Sequence, residues 1–255
     1  MKLRVLGCSG GSVKNRFLSC FLLNDHIALD AGGLTGPLTL DEQLGVRHVI
    51  VSHTHLDHNI GLPFFVDNIF GRLDEPVFVY GTSAVIGSLK RHMFNDELWP
   101  DFTKLPSEEA PTLRCQEIQI EKPFTIGKLT FTPIEVEHLI PTAGFLVEDG
   151  DGDCSILYTS DTGPTDRVWE VASEQDNLKA VITEVSFAND AGNLAHASGH
   201  MTPDILATEL KKIKKQVRVL VTHTKPGHLP RIDAELKKLN IPGVEMIEQD
   251  KTYTF

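Results

Sequence analysis

Residues 52–58, with the sequence SHTHLDH, constrain the fold most strongly because they place four potential metal ligands within six positions, directly after an apolar run. Side chains two residues apart on an α-helix point about 200° away from each other, whereas those of an extended or looping segment face the same way. We therefore expect His53 and His55 to share one metal ion in a loop that follows a strand. Asp57 and His58 are then left to reach a neighbouring ion.

Short apolar and β-branched runs recur along the chain and predict strands, with hairpins among them, for example around a turn at Asn24 and Asp25. The predicted strands are Phe17–Leu23, Ile27–Asp30, Arg47–Ser52, Val77–Tyr80, Leu113–Ile120, Lys128–Val136, Ala143–Glu148, Ser155–Tyr158, Ala180–Val185 and Val217–Thr222. Helical patterns are interleaved with these strands. Two helix-bearing halves that share one core predict an α/β fold in which two sheets pack face to face with helices outside, a four-layer αββα sandwich.

The clearest helix is expected to begin after Thr202, which is a suitable N-cap, with Pro203 at the first helical position. Leu206, Leu210 and Ile213 then recur at the spacing of one helix face. Four lysines follow near the end of this pattern, where positive charge suits the carboxyl terminus of a helix, so we interpret them as a solvated helix end.

Length and composition are those of an ordinary folded protein, with 255 residues of which 41% are hydrophobic and 23% charged. No linker, repeat or shift in composition divides the chain, so we expect one domain over residues 1–255. A core of this size folds without a metal or a disulfide. The four cysteines are widely spaced and contain no CxxC pair, so we expect reduced, mostly buried thiols.

The charge balance is acidic, with 24 basic and 35 acidic side chains and a net charge of −11. This balance argues against a protein that holds long nucleic acid by neutralising its phosphates, but it permits a small anion at a local positive site. The apolar runs are too short to span a bilayer, and the first residues lack the apolar stretch of a signal peptide. We expect a cytoplasmic protein without a membrane partner.

A pair of metal ions needs ligands from outside residues 52–58, and three suitable side chains stand at the ends of predicted strands. They are His138, Asp161 and His223. Any one of them alone would be interpreted as a surface or capping residue. Together with the histidine cluster they become candidate ligands.

This series of an HxHxDH motif, a distant histidine, an aspartate and a final histidine resembles the metallo-β-lactamase superfamily in order and spacing. The resemblance extends to the segments LGCSGG at residues 6–11 and LDAG at residues 29–32. It implies that His53, His55 and His138 bind one ion, that Asp57, His58 and His223 bind the other, and that Asp161 bridges the two. Asp30 is then either a partner of a histidine ligand or a turn residue. Histidine-rich ligands favour two Zn²⁺ ions, while the carboxylates leave Mn²⁺ or Fe²⁺ open.

Two further segments, Glu184–Phe187 (EVSF) and Ser198–Thr202 (SGHMT), resemble the phosphodiesterase branch of that superfamily. This branch includes tRNA 3′-end processing endonucleases and class II cyclic-nucleotide phosphodiesterases. By this resemblance Glu184 and His200 form a catalytic pair in which His200 protonates the leaving group, while Asp57 orients the attacking water. The positive charge of two divalent ions with two carboxylates suits a phosphodiester monoanion.

Residues 91–102, with the sequence RHMFNDELWPDF, resemble a stretch of the class II cyclic-nucleotide phosphodiesterases, whereas the glycine-rich and basic arm of the processing endonucleases is not found. The resemblance implies hydrolysis of 3′,5′-cyclic nucleotides to nucleoside 5′-monophosphates, and an insertion near residues 88–112 that borders the active site. Phe94, Trp99 and Phe102 are candidates for stacking on a nucleobase, and Asn95 for a hydrogen bond to its edge. A packing role for the three aromatic rings remains open.

Two other functions are left open. The first is an RNA-processing endonuclease or a phosphodiesterase of broad specificity, which a basic surface would support. The second is a metal-bound nucleotide sensor without turnover. The resemblance also allows a homodimer, and the sequence does not distinguish cAMP from cGMP as the substrate.

Overall fold

The computed structural model describes all 255 residues, which form two compact units. The first unit comprises residues 1–8, 14–119 and 249–254, and the second comprises residues 9–13, 120–248 and 255. Each unit contains one seven-stranded sheet. Because the chain returns to the first unit at its end, both units are assembled from segments that are distant in the sequence.

The strands are β1 (Lys2–Gly7), β2 (Cys20–Leu23), β3 (Ile27–Leu29), β4 (His48–Ile50), β5 (Val77–Thr82), β6 (Leu113–Ile118), β7 (Phe124–Ile126), β8 (Leu129–Glu135), β9 (Ala143–Asp149), β10 (Ser155–Tyr158), β11 (Leu178–Glu184), β12 (Arg218–Thr222), β13 (Val244–Met246) and β14 (Thr252–Thr254). The helices are α1 (Leu40–Gly45), α2 (Leu56–Asn59), α3 (Gly61–Ile69), α4 (Ser83–His92), α5 (Arg167–Glu174), α6 (Gly192–Ala197), α7 (Pro203–Glu209) and α8 (Leu229–Leu239). Short 3₁₀ turns occupy Asn189–Ala191 and Leu210–Lys212. No helix has the length and hydropathy needed to cross a bilayer.

The sheet of the first unit has the order β14-β1-β2-β3-β4-β5-β6, and its strands β3 to β6 run parallel. Asn24 and Asp25 both have positive φ, 47° and 64°, which suits the right-handed twist of the β2–β3 hairpin and confirms the predicted turn. Helix α3 buries Phe65, Val66 and Ile69 in the apolar core of this unit. Parallel strands end at one edge, so the polar residues that follow β3 and β4 are brought together there.

The sheet of the second unit has the order β13-β12-β11-β10-β9-β8-β7, with antiparallel pairs from β7 to β10 and parallel pairs from β10 to β13. Asp161 follows β10, Glu184 ends β11 and His223 follows β12. These three side chains therefore start from the carboxyl edge of one parallel sheet, which is where α/β sheets place their ligands.

Helix α7 has the predicted N-terminus, with Thr202 accepting a hydrogen bond from the amide of Ile205 and Pro203 at the first position. It is shorter than the predicted pattern, since Glu209 ends it and a 3₁₀ turn continues the chain. The carboxylate of Glu209 is buried and accepts hydrogen bonds from Trp169 Nε1 and Lys212 Nζ. Lys215 Nζ donates to the carbonyl of Gln175, so two of the four lysines are held by the structure and are not simply solvated.

All ten predicted strands are present, with ends shifted by a few residues. Four strands were not predicted. Three of them, β7, β13 and β14, have only three residues each, too few for a clear pattern. The fourth, β1, lies in the first residues, which were considered only as a possible signal peptide. The predicted α/β class is confirmed by two sheets with helices beside them. The single domain over residues 1–255 stays a prediction, as does the insertion near residues 88–112, which lies in the first unit.

Candidate metal site

The histidine cluster of the first unit lies in the loop between β4 and α2. His53 and His55 precede the helix, with His55 at its N-cap in extended conformation, whereas Asp57 and His58 lie within its single turn. His53 Nε2 is 3.2 Å from His55 Nδ1, and the ring centroids of His53 and His58 are 4.2 Å apart. Two nitrogen ligands at the usual 2.0–2.1 Å from a tetrahedral ion lie about 3.3 Å apart. His53 and His55 therefore fit a common ion.

Asp30 and Ser52 set the orientation of the histidine rings in this cluster. The amide and hydroxyl of Ser52 both donate to the Asp30 carboxylate, at 2.8 and 2.9 Å. With its hydrogen used, the Ser52 hydroxyl accepts from His53 Nδ1 at 3.0 Å, and Asp30 accepts from His58 Nδ1 at 2.7 Å. Both rings therefore carry hydrogen on Nδ1 and the lone pair on Nε2, the form that binds a metal. The expectation that Asp30 contacts a candidate histidine ligand is confirmed.

The loop around Asp30 has a backbone that few residues can adopt. Asp30 itself has φ 58°, in the left-handed region. A Cβ at Gly32 would lie 1.9 Å from the carbonyl oxygen of Asp57, so only glycine allows the two segments to approach this closely. The amide of Ala31 donates to the carbonyl of His58 at 2.7 Å. Such strain at buried polar residues is typical of functional sites.

The second unit contains its own cluster, formed by Asp161, His200 and His223. One ligand atom from each lies within 4.8 Å of the others, and all three residues are buried. His223 Nε2 is 3.3 Å from Asp161 Oδ2, again the separation of two ligands on one ion. His223 has φ 56°, and a Cβ at Gly10 would lie 2.7 Å from its carbonyl oxygen, so the backbone is packed tightly around this ligand.

Glu184 is fully buried and holds His200. Its Oε1 accepts from His200 Nδ1 at 2.6 Å and from the amide of Thr162 at 3.2 Å, while its Oε2 accepts from the Ser186 hydroxyl at 2.8 Å. Burial alone would lower the pKa of His200, but the charge of Glu184 and its hydrogen bond outweigh burial and raise the pKa above its ordinary value. His200 is thereby favoured as a charged ring that offers a proton at Nε2.

His138 follows β8 and points its Nδ1 at the carbonyl oxygen of Gly199, 2.9 Å away. A carbonyl oxygen only accepts, so Nδ1 carries the hydrogen and Nε2 carries the lone pair. Burial lowers the pKa of His138, and the charge of Asp161 only partly offsets it, which favours the neutral ring that a metal requires. Its ring centroid is 5.0 Å from that of His200.

The structure corrects the substrate roles predicted for residues 91–102, which lie in the first unit. Phe94 and Phe102 are 2% and 3% exposed and pack in its core, so neither ring has a face available to a nucleobase, and the predicted stacking is wrong for both. The side-chain oxygen of Asn95 accepts from the amides of Glu97 and Leu98, and its nitrogen donates to the carbonyl of Arg91. Asn95 therefore shapes its own turn, which leaves the base-edge hydrogen bond predicted for it without support.

Trp99 is partly exposed and stacks edge-on against Phe64 of α3, with ring centroids 5.3 Å apart. Phe64 is 50% exposed, although most of its neighbours on α3 are buried. Phe64 and the hydroxyls of Ser52 and Ser186 are not among the residues predicted from the sequence. A usable signal existed for Ser186, because residues two apart at a strand end face the same side and Glu184 precedes it by two.

In each unit, histidines and carboxylates lie near the carboxyl ends of parallel strands, and buried acceptors fix the ring tautomers, so each cluster offers ligands for a divalent ion. Residues 31–224 match the family model described as a beta-lactamase superfamily domain, and the chain belongs to that superfamily. The predicted metallo-β-lactamase fold is thereby confirmed.

The chain is similar to two kinds of curated relatives. It is 29% identical over 275 aligned residues to a probable 3′,5′-cyclic-nucleotide phosphodiesterase of Yersinia pestis, covering 95% of this chain and 78% of that one. It is 28% identical over 260 residues to a ribonuclease Z of Pyrobaculum calidifontis, covering 88% and 86%. The crystal structure of unliganded yeast PDE1 superimposes with a TM-score of 0.82 over 98% of both chains at 19% identity, a likeness of fold.

Proposed function

We propose that the protein is a metal-dependent phosphodiesterase that hydrolyses 3′,5′-cyclic nucleotides to nucleoside 5′-monophosphates. The observation that carries the proposal is the buried Glu184–His200 pair, whose histidine reaches the same small volume as the candidate ligands Asp161 and His223. A buried carboxylate at Nδ1 also suits a metal ligand, as Asp30 does for His58, so the role of His200 as a proton donor rests in addition on the resemblance of the EVSF and SGHMT segments to the phosphodiesterase branch. The relatives named as phosphodiesterase and ribonuclease act on phosphodiesters, which supports the same chemistry here.

Two divalent ions are part of this proposal, with Zn²⁺ favoured by the nitrogen ligands and Mn²⁺ or Fe²⁺ as the other choices. The proposed ligands are His53, His55 and His138 for one ion, Asp57, His58 and His223 for the other, and Asp161 for both. The donor set fits, because four of these histidines have an acceptor at Nδ1 that leaves the lone pair on Nε2. When bound, such ions activate water and neutralise charge on the phosphodiester.

His200 is proposed to protonate the leaving group. Hydrolysis of a 3′,5′-cyclic nucleotide to the 5′-monophosphate expels the ribose 3′-oxygen as a strongly basic alkoxide, which needs a proton as the bond breaks. The charge of Glu184 and its hydrogen bond raise the pKa of His200 against the opposing effect of burial, and the bond to Nδ1 keeps the ring oriented with Nε2 as the atom that donates this proton. Asp57, in the turn of α2, is proposed to accept a hydrogen bond from the attacking water.

The base-binding surface is proposed to be Phe64, with Trp99 in support. Phe64 follows the proposed metal ligand Asp57 by seven residues, across the break between α2 and α3 where the amide of Gly61 donates to the carbonyl of Ala31. Its ring is 50% exposed and therefore accessible to a base. The edge of Trp99 holds its ring in place.

The decisive experiment is an assay of purified protein, with its metal content measured, against 3′,5′-cyclic nucleotides, linear dinucleotides and precursor tRNA. We expect hydrolysis of cyclic nucleotides to 5′-monophosphates and no cleavage of precursor tRNA. Cleavage of precursor tRNA in preference to cyclic nucleotides would instead support the RNA-processing alternative. The similarity to ribonuclease Z favours this alternative. Binding of nucleotides without any turnover would support the sensor.

The partners and the location of the protein are also part of the proposal. We propose a small nucleotide as the partner, with no long nucleic acid, since the net charge is −11. A membrane partner is not proposed either, and the cytoplasmic location stays a prediction. The homodimer also stays a prediction, and sedimentation of the purified protein over a range of concentrations tests it.

A further inference from the structure

The hydroxyl of Ser186 lies at the centre of the second-unit cluster. Four polar atoms surround its Oγ: Glu184 Oε2 at 2.8 Å, His223 Nδ1 at 2.9 Å, the His223 carbonyl oxygen at 3.1 Å and His200 Nδ1 at 3.2 Å. Ser186 is buried, and its hydroxyl oxygen lies within 3.2 Å of a ring nitrogen of both His200 and His223. One hydroxyl therefore touches both the candidate ligand and the candidate proton donor.

A count of hydrogens fixes the roles in this cluster. Ser186 has one hydrogen, and the ionised Glu184 carboxylate is the strongest acceptor near it, so the hydroxyl donates to Oε2. His223 Nδ1 then has to donate to the Ser186 oxygen. This assignment leaves the lone pair of His223 on Nε2, the atom that lies 3.3 Å from Asp161 Oδ2.

The same hydroxyl also fixes the Glu184 carboxylate. With Oε2 accepting from Ser186, Oε1 is directed toward His200 Nδ1 at 2.6 Å and the Thr162 amide at 3.2 Å. Thr162 is adjacent to Asp161 in the sequence, so the Glu184 carboxylate also contacts the loop that carries this candidate ligand. Loss of the Ser186 hydroxyl would free the carboxylate to rotate and would leave the buried Nδ1 of His223 without its acceptor.

We propose that Ser186 is a positioning residue that couples metal binding to proton donation. Its single hydroxyl keeps His223 in the tautomer with its lone pair on Nε2, and it keeps the Glu184 carboxylate oriented toward His200. The His200 half rests on the proposed phosphodiesterase function. The His223 half rests only on the geometry of the cluster and is therefore testable without catalysis.

The test compares Ser186→Ala and the nearly isosteric Ser186→Cys with Ser186→Thr, which keeps a hydroxyl. Ser198→Ala is the matched control, since Ser198 lies two residues from His200 but its hydroxyl donates only to the carbonyls of Leu194 and Ala195. Nitrogen NMR of the metal-free protein reports the tautomer of His223. Competition with a chelator reports metal affinity, and the ratio of rates on a cyclic nucleotide and on bis(p-nitrophenyl) phosphate reports leaving-group protonation.

We expect Ser186→Ala and Ser186→Cys to convert His223 partly or wholly to the Nε2–H tautomer and to weaken metal binding by about 10- to 100-fold. The rate ratio should fall as well, because only the cyclic nucleotide needs a proton on its leaving group. Ser186→Thr, which keeps the hydroxyl, should retain the Nδ1–H tautomer of His223, and Ser198→Ala should match the wild type in all three measurements.

The proposal is overturned if His223 keeps hydrogen on Nδ1 and metal affinity stays within twofold when the hydroxyl is removed. Coupling is also overturned if metal affinity falls while the rate ratio is unchanged, because Ser186 then positions only the ligand. If the wild type hydrolyses no cyclic nucleotide, the proposed function fails, but a tautomer change in Ser186→Ala would still support the role toward His223.

Discussion

The buried clusters of the two units follow one hydrogen-bond plan, in which a carboxylate binds one histidine directly and a second histidine through a serine hydroxyl. The members, in that order, are Asp30, His58, Ser52 and His53 in the first unit, and Glu184, His200, Ser186 and His223 in the second. Both carboxylates also accept a backbone amide, from Ser52 and from Thr162. Each arrangement places hydrogen on Nδ1 of two rings and leaves their Nε2 atoms for chemistry.

The two clusters differ in the proposed role of the ring that the carboxylate holds. His58 is completely buried, whereas His200 is 6% exposed and has a pKa raised by Glu184 once the opposing effect of burial is overcome. We propose His58 as a metal ligand, which gives up its proton, and His200 as a proton donor, which keeps it. In this proposal the same arrangement of carboxylate and serine holds both rings, and the task of each ring depends on whether its Nε2 contacts a metal or a substrate.

The largest expected effect comes from Asp161→Ala, which removes the proposed bridging carboxylate. Elemental analysis should show at least one of the two ions lost, and hydrolysis of cyclic nucleotides should fall to background. Thermal unfolding should remain cooperative, since a core of this size does not depend on the ions. Asp166→Ala is the control, because that side chain is 81% exposed and five residues away. Full metal content in Asp161→Ala would contradict the bridging role.

His200→Ala and His58→Ala test the difference between the two clusters most directly. His200→Ala should slow hydrolysis of a cyclic nucleotide by about 10² to 10⁴ fold and affect bis(p-nitrophenyl) phosphate far less, because a phenolate departs without protonation. Its metal content should be unchanged. His58→Ala should lose metal and slow both substrates alike. If His200→Ala also loses metal, His200 is a ligand and the two clusters do not differ in the proposed way.

Smaller effects should follow from the carboxylates, with Glu184→Gln compared to Asp30→Asn. Glu184→Gln should reproduce the substrate pattern of His200→Ala more weakly, because it removes the charge that raises the pKa of His200 but keeps its ring. Asp30→Asn should lower metal affinity by about 10- to 100-fold without favouring either substrate. Measurement of metal affinity and of the two rates for both variants separates the roles. Identical behaviour of the two variants would show that both carboxylates serve ligands only.

Part of this arrangement could be predicted from the sequence, because it depends on local spacing. The alternation of ligands in residues 52–58 predicts an extended or looping segment. In the structure His53 and His55 lie in such a segment, before α2 begins at Leu56. Single residues after apolar runs, such as His138 and His223, were found by their position at strand ends. Which acceptor holds each Nδ1 could not be predicted, because it depends on pairs such as Asp30 and His58 that only the folded backbone brings together.

The aromatic residues show the same limit. Phe94 and Trp99 belong to one segment and carry the same kind of side chain, so the sequence gives no reason to separate them. In the structure an isolated bridge pairs the two residues, yet Phe94 lies in the core while Trp99 is partly exposed against Phe64. Burial is set by the packing of α3 and α4 around the segment, which is a tertiary property.

The last prediction compares these two aromatic environments through Phe64→Ala and Phe94→Ala. Stacking of one base on an aromatic ring contributes about 1–3 kcal/mol, so Phe64→Ala should raise the KM for cyclic nucleotides by about 5-fold or more. It should leave the rate on ethyl p-nitrophenyl phosphate unchanged, because that diester has no base, and should barely alter stability, because the ring is 50% exposed. Phe94→Ala should instead cost about 3–5 kcal/mol of the free energy of unfolding, measured by denaturant titration, because it opens a cavity in the core.

Trp99 provides an independent test of the base position. The other tryptophan, Trp169, is completely buried, so nucleotide binding should quench the fluorescence of the wild type but not that of Trp99→Phe. An unchanged KM in Phe64→Ala together with unquenched fluorescence in the wild type would place the base elsewhere and leave the metal site as proposed.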